Sequence, residues 1–178
     1  MNDENTVKTK KIRINIKIII PALIVIIVAG IWVFKNSQNT VNADNSDFAL
    51  HVTEALDLEK LKSYGLPMII DFGADFCIPC KEMAPVLKEL NEELRGKAII
   101  KFVDVWKYQE LANGYPISLI PTQVLIDDEG NPYKPKEEVS SNFNLYAMKD
   151  TGEHVFTIHE GGLTKAQLLT VLKEMEMK

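Results

Sequence analysis

The chain has 178 residues, a net charge of −5 and two cysteines. Its charge is unevenly spread: residues 1–35 carry six Lys/Arg against two Asp/Glu, which leaves 14 against 23 and a net of −9 for the rest. So acidic a remainder has no electrostatic footprint for nucleic acid.

In chain order, Lys8, Lys10, Lys11, Arg13 and Lys17 precede a run from Ile18 to Phe34 of seventeen residues without a charge. That is the short end of a membrane-spanning helix, and Lys17 lengthens it by snorkelling. Lys35 follows, and then there is no Lys or Arg until Lys60. The positive-inside rule therefore puts residues 1–17 in the cytoplasm, 18–34 across the membrane as a signal anchor, and everything later outside. The rival reading is a signal peptide cleaved near Ala43, after "VNA" at Val41 to Ala43. The apolar run exceeds the usual ~7–15 residues of such a peptide, which favours the anchor. No cysteine stands directly after the run, so it is not a lipoprotein signal. Residues 35–46, polar and without apolar anchors, read as a flexible tether with a reach of roughly 20 Å. Residues 47–178 are the size of one domain with one core, with no internal repeat.

Within that domain, "FALHV" (Phe48 to Val52) reads as a short strand and "TEALDLEKLKSYG" as a helix capped by Thr53 and stopped by Gly65. "LPMIIDFGA" is an apolar run with one acid inside, which suits a strand buried on both faces. From Cys77 to Arg95 the residues Met83, Val86, Leu87, Leu90 and Leu94 recur at helical spacing, with Pro85 within and Gly96 at the end. "AIIKFVDVW" is a third strand, "YQELANG" a short helix and "PTQVLIDDEG" a fourth strand closed by a turn. "NLYAM" and "HVFTIHE" flank the turn "KDTGE" as a hairpin, and "TKAQLLTVLKEMEM" is an amphipathic helix behind a Thr164 cap. The order mixes parallel and antiparallel pairing, so the fold class is α/β: a mixed central sheet with helices on both faces. Residues 131–144, "NPYKPKEEVSSNFN", read as an excursion from the fourth strand.

The two cysteines are Cys77 and Cys80, just after a buried strand and opening a helix. At a helix N-terminus the unpaired N–H groups and the macrodipole favour a thiolate, so Cys77 is the candidate nucleophile. Cys80, one turn in, is placed to attack a mixed disulfide formed at Cys77 and close the ring. Pro79 lies in the first turn, where its missing N–H costs nothing. A purely structural disulfide is the bland alternative, but so small a ring removes little chain entropy. A zinc site completed by His154 and His159 fails if "HVFTIH" is a strand, because side chains five apart then point to opposite faces. No metal is expected.

These residues resemble the thioredoxin family. "IIDFGADFCIPCKEMAPVLKEL" is similar to its active-site strand, redox motif and helix, "ELANGYPISLIPT" to the approach to its cis-proline, and "GGLTKAQLLTVLKEM" to its last helix. The likeness covers about Phe48 to Lys178 and implies a thioredoxin fold. It also resembles the extracytoplasmic, membrane-tethered branch that takes electrons from a CcdA-type membrane thiol transporter. The resemblance implies that Asp71 is the buried acid beneath the motif, taking the proton of Cys80. It implies that Pro121 is the cis-proline and that Ile120 pairs with an extended substrate chain. Phe76, Ile78 and Pro79 join Ile120 and Pro121 as expected substrate-binding residues. The expected cofactor is none beyond a redox-active Cys77–Cys80 disulfide, and the expected state is a monomer.

Three positions depart from the family pattern. Gly73 and Phe76 stand where tryptophans are common, and Phe102 stands where a lysine usually lies near the buried acid; Lys101 next to it should point to the other face. Trp106 is newly placed, as a rim to the site or as core. The activity implied is reduction of protein disulfides, because Ile78-Pro79 brings no His to stabilise the thiolate and leaves the disulfide the more stable form. An oxidase or isomerase using the same atoms, and a non-catalytic binding module or metallochaperone, are the alternatives.

Overall fold

The computed structural model of the protein describes residues 46–136 and 142–177. The described residues all belong to one compact unit, Ser46–Lys178. The expected cytoplasmic tail at 1–17, membrane helix at 18–34 and tether at 35–46, save Ser46, lie outside the described residues. Among the described residues no helix is long and apolar enough to cross a membrane.

The elements run β1 (His51–Val52), α1 (Leu58–Lys62), β2 (Met68–Gly73), α2 (Ile78–Glu93), β3 (Ile99–Asp104), a 3₁₀ turn (Gln109–Ala112), β4 (Thr122–Ile126), β5 (Asn144–Ala147), β6 (His154–Glu160) and α3 (Lys165–Glu174). The strands form one sheet in the order β1-β3-β2-β4-β6-β5. β3 runs parallel to β1 and β2, while β4, β6 and β5 pair antiparallel. β2, β3 and β4 are buried along their whole length, which suits the long apolar runs of β2 and β3.

Alternation along these strands divides the core between two faces. Ile69, Ile100 and Leu125 face Met83, Leu87 and Leu90 of α2 and Leu168 and Leu172 of α3. Ile70, Phe72, Val103 and Val124 lie on the other face with Leu61 of α1. Two buried charges in mid-strand break the pattern. Asp71 shares the first face, and Lys101 the second, each flanked by apolar neighbours in sequence. The expected helices on both faces are thus present, and α3 begins with a capping box between Thr164 and Gln167.

Two local expectations are corrected, and one segment gains a structural account. The first helix spans only Leu58–Lys62, because the Asp57 side chain accepts from Lys60 N at 3.0 Å and fixes the start there, not at Thr53. It stops before Gly65, whose φ of +61° suits glycine. The first strand has two paired residues, since Phe48 sits in a 3₁₀ turn. The excursion after β4 is not wholly superficial: Tyr133 is buried, its N–H donates to Leu125 O at 3.0 Å, and its ring meets Phe143 edge to face at 5.5 Å. Both described ends of that segment are therefore tied to the core.

Candidate functional site

Why Cys77 ends up at the tip of α2 follows from its local chemistry. β2 ends at Gly73, the chain turns, and Cys77 takes an extended conformation as the N-cap of the sixteen-residue α2. Its Sγ accepts from Cys80 N at 3.4 Å, so the sulfur itself caps the helix where the macrodipole is positive. Pro79 falls in the first turn, as the sequence requires. The Cα atoms of Cys77 and Cys80 are 5.2 Å apart and the sulfurs are at disulfide distance. Cys77 is half-buried and Cys80 buried, so the outer sulfur is the one a partner reaches.

The Ile120–Pro121 peptide bond is cis, at the place the resemblance assigns. It brings the Ile120 carbonyl oxygen to 3.8 Å from Cys77 Sγ, joining two segments 43 residues apart in sequence. Around this junction lie Phe76, Ile78 and Leu119, all exposed and apolar. Trp106 is 67% exposed and packs edge to face on Phe76 with centroids 5.1 Å apart, which makes it a rim residue and not part of the core. Its loop is held by Asp104 Oδ1, which accepts from Trp106 N at 3.0 Å and from Lys107 N at 3.1 Å. Lys107 in turn pairs with Asp75 beside the motif. Sequence reasoning missed this brace, because nothing local relates Asp75 to Lys107.

Asp71 is 1% exposed in the middle of β2. Burial, partly opposed by a hydrogen bond from Gln123, raises its carboxyl from 3.8 to about 7. Gln123 Nε2 donates to Asp71 Oδ1 at 2.7 Å across the β2–β4 register and lies 3.7 Å from Met83 Sδ, one turn beyond Cys80 on α2. The acid thus sits beneath the first turns of α2. On its other side Asp71 is in register with Phe102 of β3. Lys101 points away as expected, donating to Ala49 O at 2.8 Å.

Two of the departures from the family pattern explain each other. A Cβ at Gly73 would stand 2.9 Å from Phe102 Cε2 and 3.2 Å from Cys80 Sγ. The ring at 102 occupies space that any side chain at 73 would need, so Gly73 and Phe102 are one packing solution. His154 and His159 do not approach the cysteines: His159 Nδ1 is 2.8 Å from Asn142 O, and His154 Nε2 is 3.0 Å from Phe156 O. Among the described residues no cluster of His, Cys, Asp or Glu is arranged to hold a metal.

The thioredoxin family model matches residues 49–150. The chain belongs to the thioredoxin family. Thioredoxin C-2 of Corynebacterium nephridii is 38% identical over 92 residues, covering 52% of this chain and 77% of that protein. The bifunctional thioredoxin reductase/thioredoxin of Mycobacterium leprae is 34% identical over 98 residues, 55% of this chain and 21% of that protein. The chain spans between 21% and 44% of the length of four such curated relatives. In fold it matches a single-site mutant of thioredoxin from Halobacterium salinarum NRC-1, with a TM-score of 0.50, 24% identity, and coverage of 76% of this chain and 97% of that one. Thioredoxins need no cofactor beyond the redox-active disulfide, and here the two cysteines that can form it are Cys77 and Cys80.

Proposed function

We propose that this protein is an exported, membrane-tethered thiol–disulfide oxidoreductase that reduces disulfides in other proteins. The observation that carries the reading is the position of Cys77 Sγ: it caps α2, half-exposed, with the Ile120 carbonyl 3.8 Å away. The helix terminus favours the sulfur anion, and the carbonyl beside it marks where an extended substrate backbone lies against the loop before Pro121.

In the reaction, the Cys77 thiolate attacks one sulfur of a substrate disulfide. That S–S bond breaks, a mixed disulfide forms at Cys77, and the first substrate sulfur leaves as a thiolate that takes a proton from solvent. Asp71 then accepts the proton of Cys80 as Cys80 attacks Cys77 Sγ. The Cys77–substrate bond breaks, the second substrate sulfur leaves, and the Cys77–Cys80 disulfide remains. Two electrons have passed to the substrate. A carboxyl shifted to about 7 suits this step, since near neutral pH it both accepts and returns a proton at little cost.

Phe76, Ile78 and Trp106 form the apolar rim against which a protein substrate packs. Ile78 and Pro79 place no positive charge between the sulfurs, which supports the reducing direction. The charge-free run from Ile18 to Phe34 and the basic residues before it support a signal anchor with the redox domain outside the membrane, re-reduced by a CcdA-type membrane thiol transporter. The test has two arms. The protein should reduce insulin disulfides with dithiothreitol as donor, and Cys77→Ser should not. In cells, a membrane-impermeant maleimide should label the pair; a pair found oxidised there, or beyond the reagent's reach, would overturn the direction or the location.

A further inference from the structure

Asp71 works in an unusual polar setting, made by a residue that the mechanism above does not use. Asp71 Oδ1 accepts from Gln123 Nε2 at 2.7 Å, and both residues are at most 1% exposed. Among the described residues, Asp71 Oδ2 and Gln123 Oε1 are buried without a hydrogen-bond partner. A buried amide normally satisfies all its polar atoms. Gln123 instead directs its NH₂ to one carboxyl oxygen and to Met83 Sδ and leaves its acceptor idle.

We infer that Gln123 is a positioning residue that sets the pH range over which Asp71 takes the proton of Cys80 and reserves Oδ2 as the oxygen that receives it. The inference rests on the oxidoreductase reading and deepens it. Donation to Oδ1 stabilises the carboxylate against its desolvation, so the acid stays able to ionise near neutrality. The same bond occupies Oδ1, and the incoming proton therefore goes to Oδ2.

Among the described residues no other group competes for this role. From β3 the residue in register with Asp71 is Phe102, which carries no charge, and Lys101 beside it turns to the opposite face and Ala49 O. From α2, Cys80 and Met83 face inward, while Lys81, Glu82 and Ala84 are exposed. From β6, His159 is paired in register with Gln123 but directs Nδ1 to Asn142 O. Burial and Gln123 are accordingly what act on Asp71.

The experiment uses the reduced full-length protein and 5,5′-dithiobis(2-nitrobenzoate), with thionitrobenzoate release followed by stopped flow from pH 5 to 9. The first release reports attack by Cys77, and the second reports attack by Cys80 on the mixed disulfide. In the unmodified protein the second phase should show an inflection that Asp71→Asn removes. Gln123→Leu should move that inflection upward by about one pH unit, the size expected from one hydrogen bond to a charged group. Gln123→Met, which keeps the length of the side chain but removes the donor, should move it the same way. In the Asp71→Asn background neither substitution should shift the profile further. Packing damage alone would slow the second phase without moving its pH dependence. An inflection unmoved in both variants, with the first phase intact, overturns the role of Gln123 and leaves the oxidoreductase reading standing. Absence of the first phase in the unmodified protein overturns that reading itself, and the inference with it.

Discussion

Asp71 and Lys101 lie on adjacent central strands, one residue out of register, and each is at most 2% exposed. Beyond that they differ. Lys101 lies on the sheet face that carries α1 and donates to Ala49 O at 2.8 Å, pinning the segment before β1 to the edge of the sheet. Asp71 lies on the face beneath α2, with one oxygen bonded to Gln123 and the other without a partner. Burial disfavours the charged form of both: it brings Lys101 down to about 8, with Asp47 opposing, and Asp71 up to about 7. The charge that ties the backbone together is satisfied by it, whereas the charge at the redox motif is left poised. A sheet can hold an architectural lysine on one face and a buried acid near neutrality on the other because alternation along a strand keeps neighbouring side chains apart.

The contrast breaks if substitutions on the two faces have the same kind of effect. The largest expected effect is on the site face. Cys77→Ser should reduce insulin turnover to background while hardly moving the denaturation midpoint, because the ring it opens constrains only four residues. Next comes Asp71→Asn. The unfolded acid loses its proton near 3.8, while the native one keeps it to about 7, so the unmodified fold loses stability as pH rises between those values. The variant should lack that slope and be more stable at pH 8, by something on the order of 3 kcal/mol in urea titrations, while resolving mixed disulfides more slowly.

On the opposite face, Lys101→Met should leave turnover within about twofold and change only stability. The unfolded lysine keeps its proton to 10.5 and the native one releases it near 8, so stability of the unmodified protein rises with pH across that window, by up to about 3 kcal/mol. That rise should vanish in the variant, and a loss of turnover there would blur the division between the faces. The smallest effect is expected at the rim: Trp106→Ala should raise KM for insulin about fivefold, the equivalent of ~1 kcal/mol of lost contact, with kcat nearly unchanged.

Much of this was legible before any fold was in hand. The continuous apolar runs of β2 and β3, the capping box at Thr164 and the C-I-P-C spacing are local signals, and each marked the element it belongs to. Thr53 misled because Asp57, four residues later, is the cap whose side chain reaches a backbone N–H. The burial of Tyr133 was not legible, because a single aromatic among prolines and charges has no periodicity to reveal it. Gln123 gave almost no warning. One amide in the apolar stretch "PTQVLI" becomes informative only once β4 lies antiparallel to β2 and Gln123 falls opposite Asp71.

Local sequence was enough to place two cysteines one turn apart at a helix start and an acid inside a buried strand, since covalent proximity and helix polarity act over a few residues. What surrounds them came from the folded chain: the Ile120 carbonyl at the sulfur, the Phe102 ring filling the space above Gly73, the Asp75–Lys107 brace and the Gln123 amide on the carboxylate. Each of these joins segments that are distant in sequence. Such contacts depend on strand order and register, which are settled by burying the whole apolar pattern at once and not by any one segment.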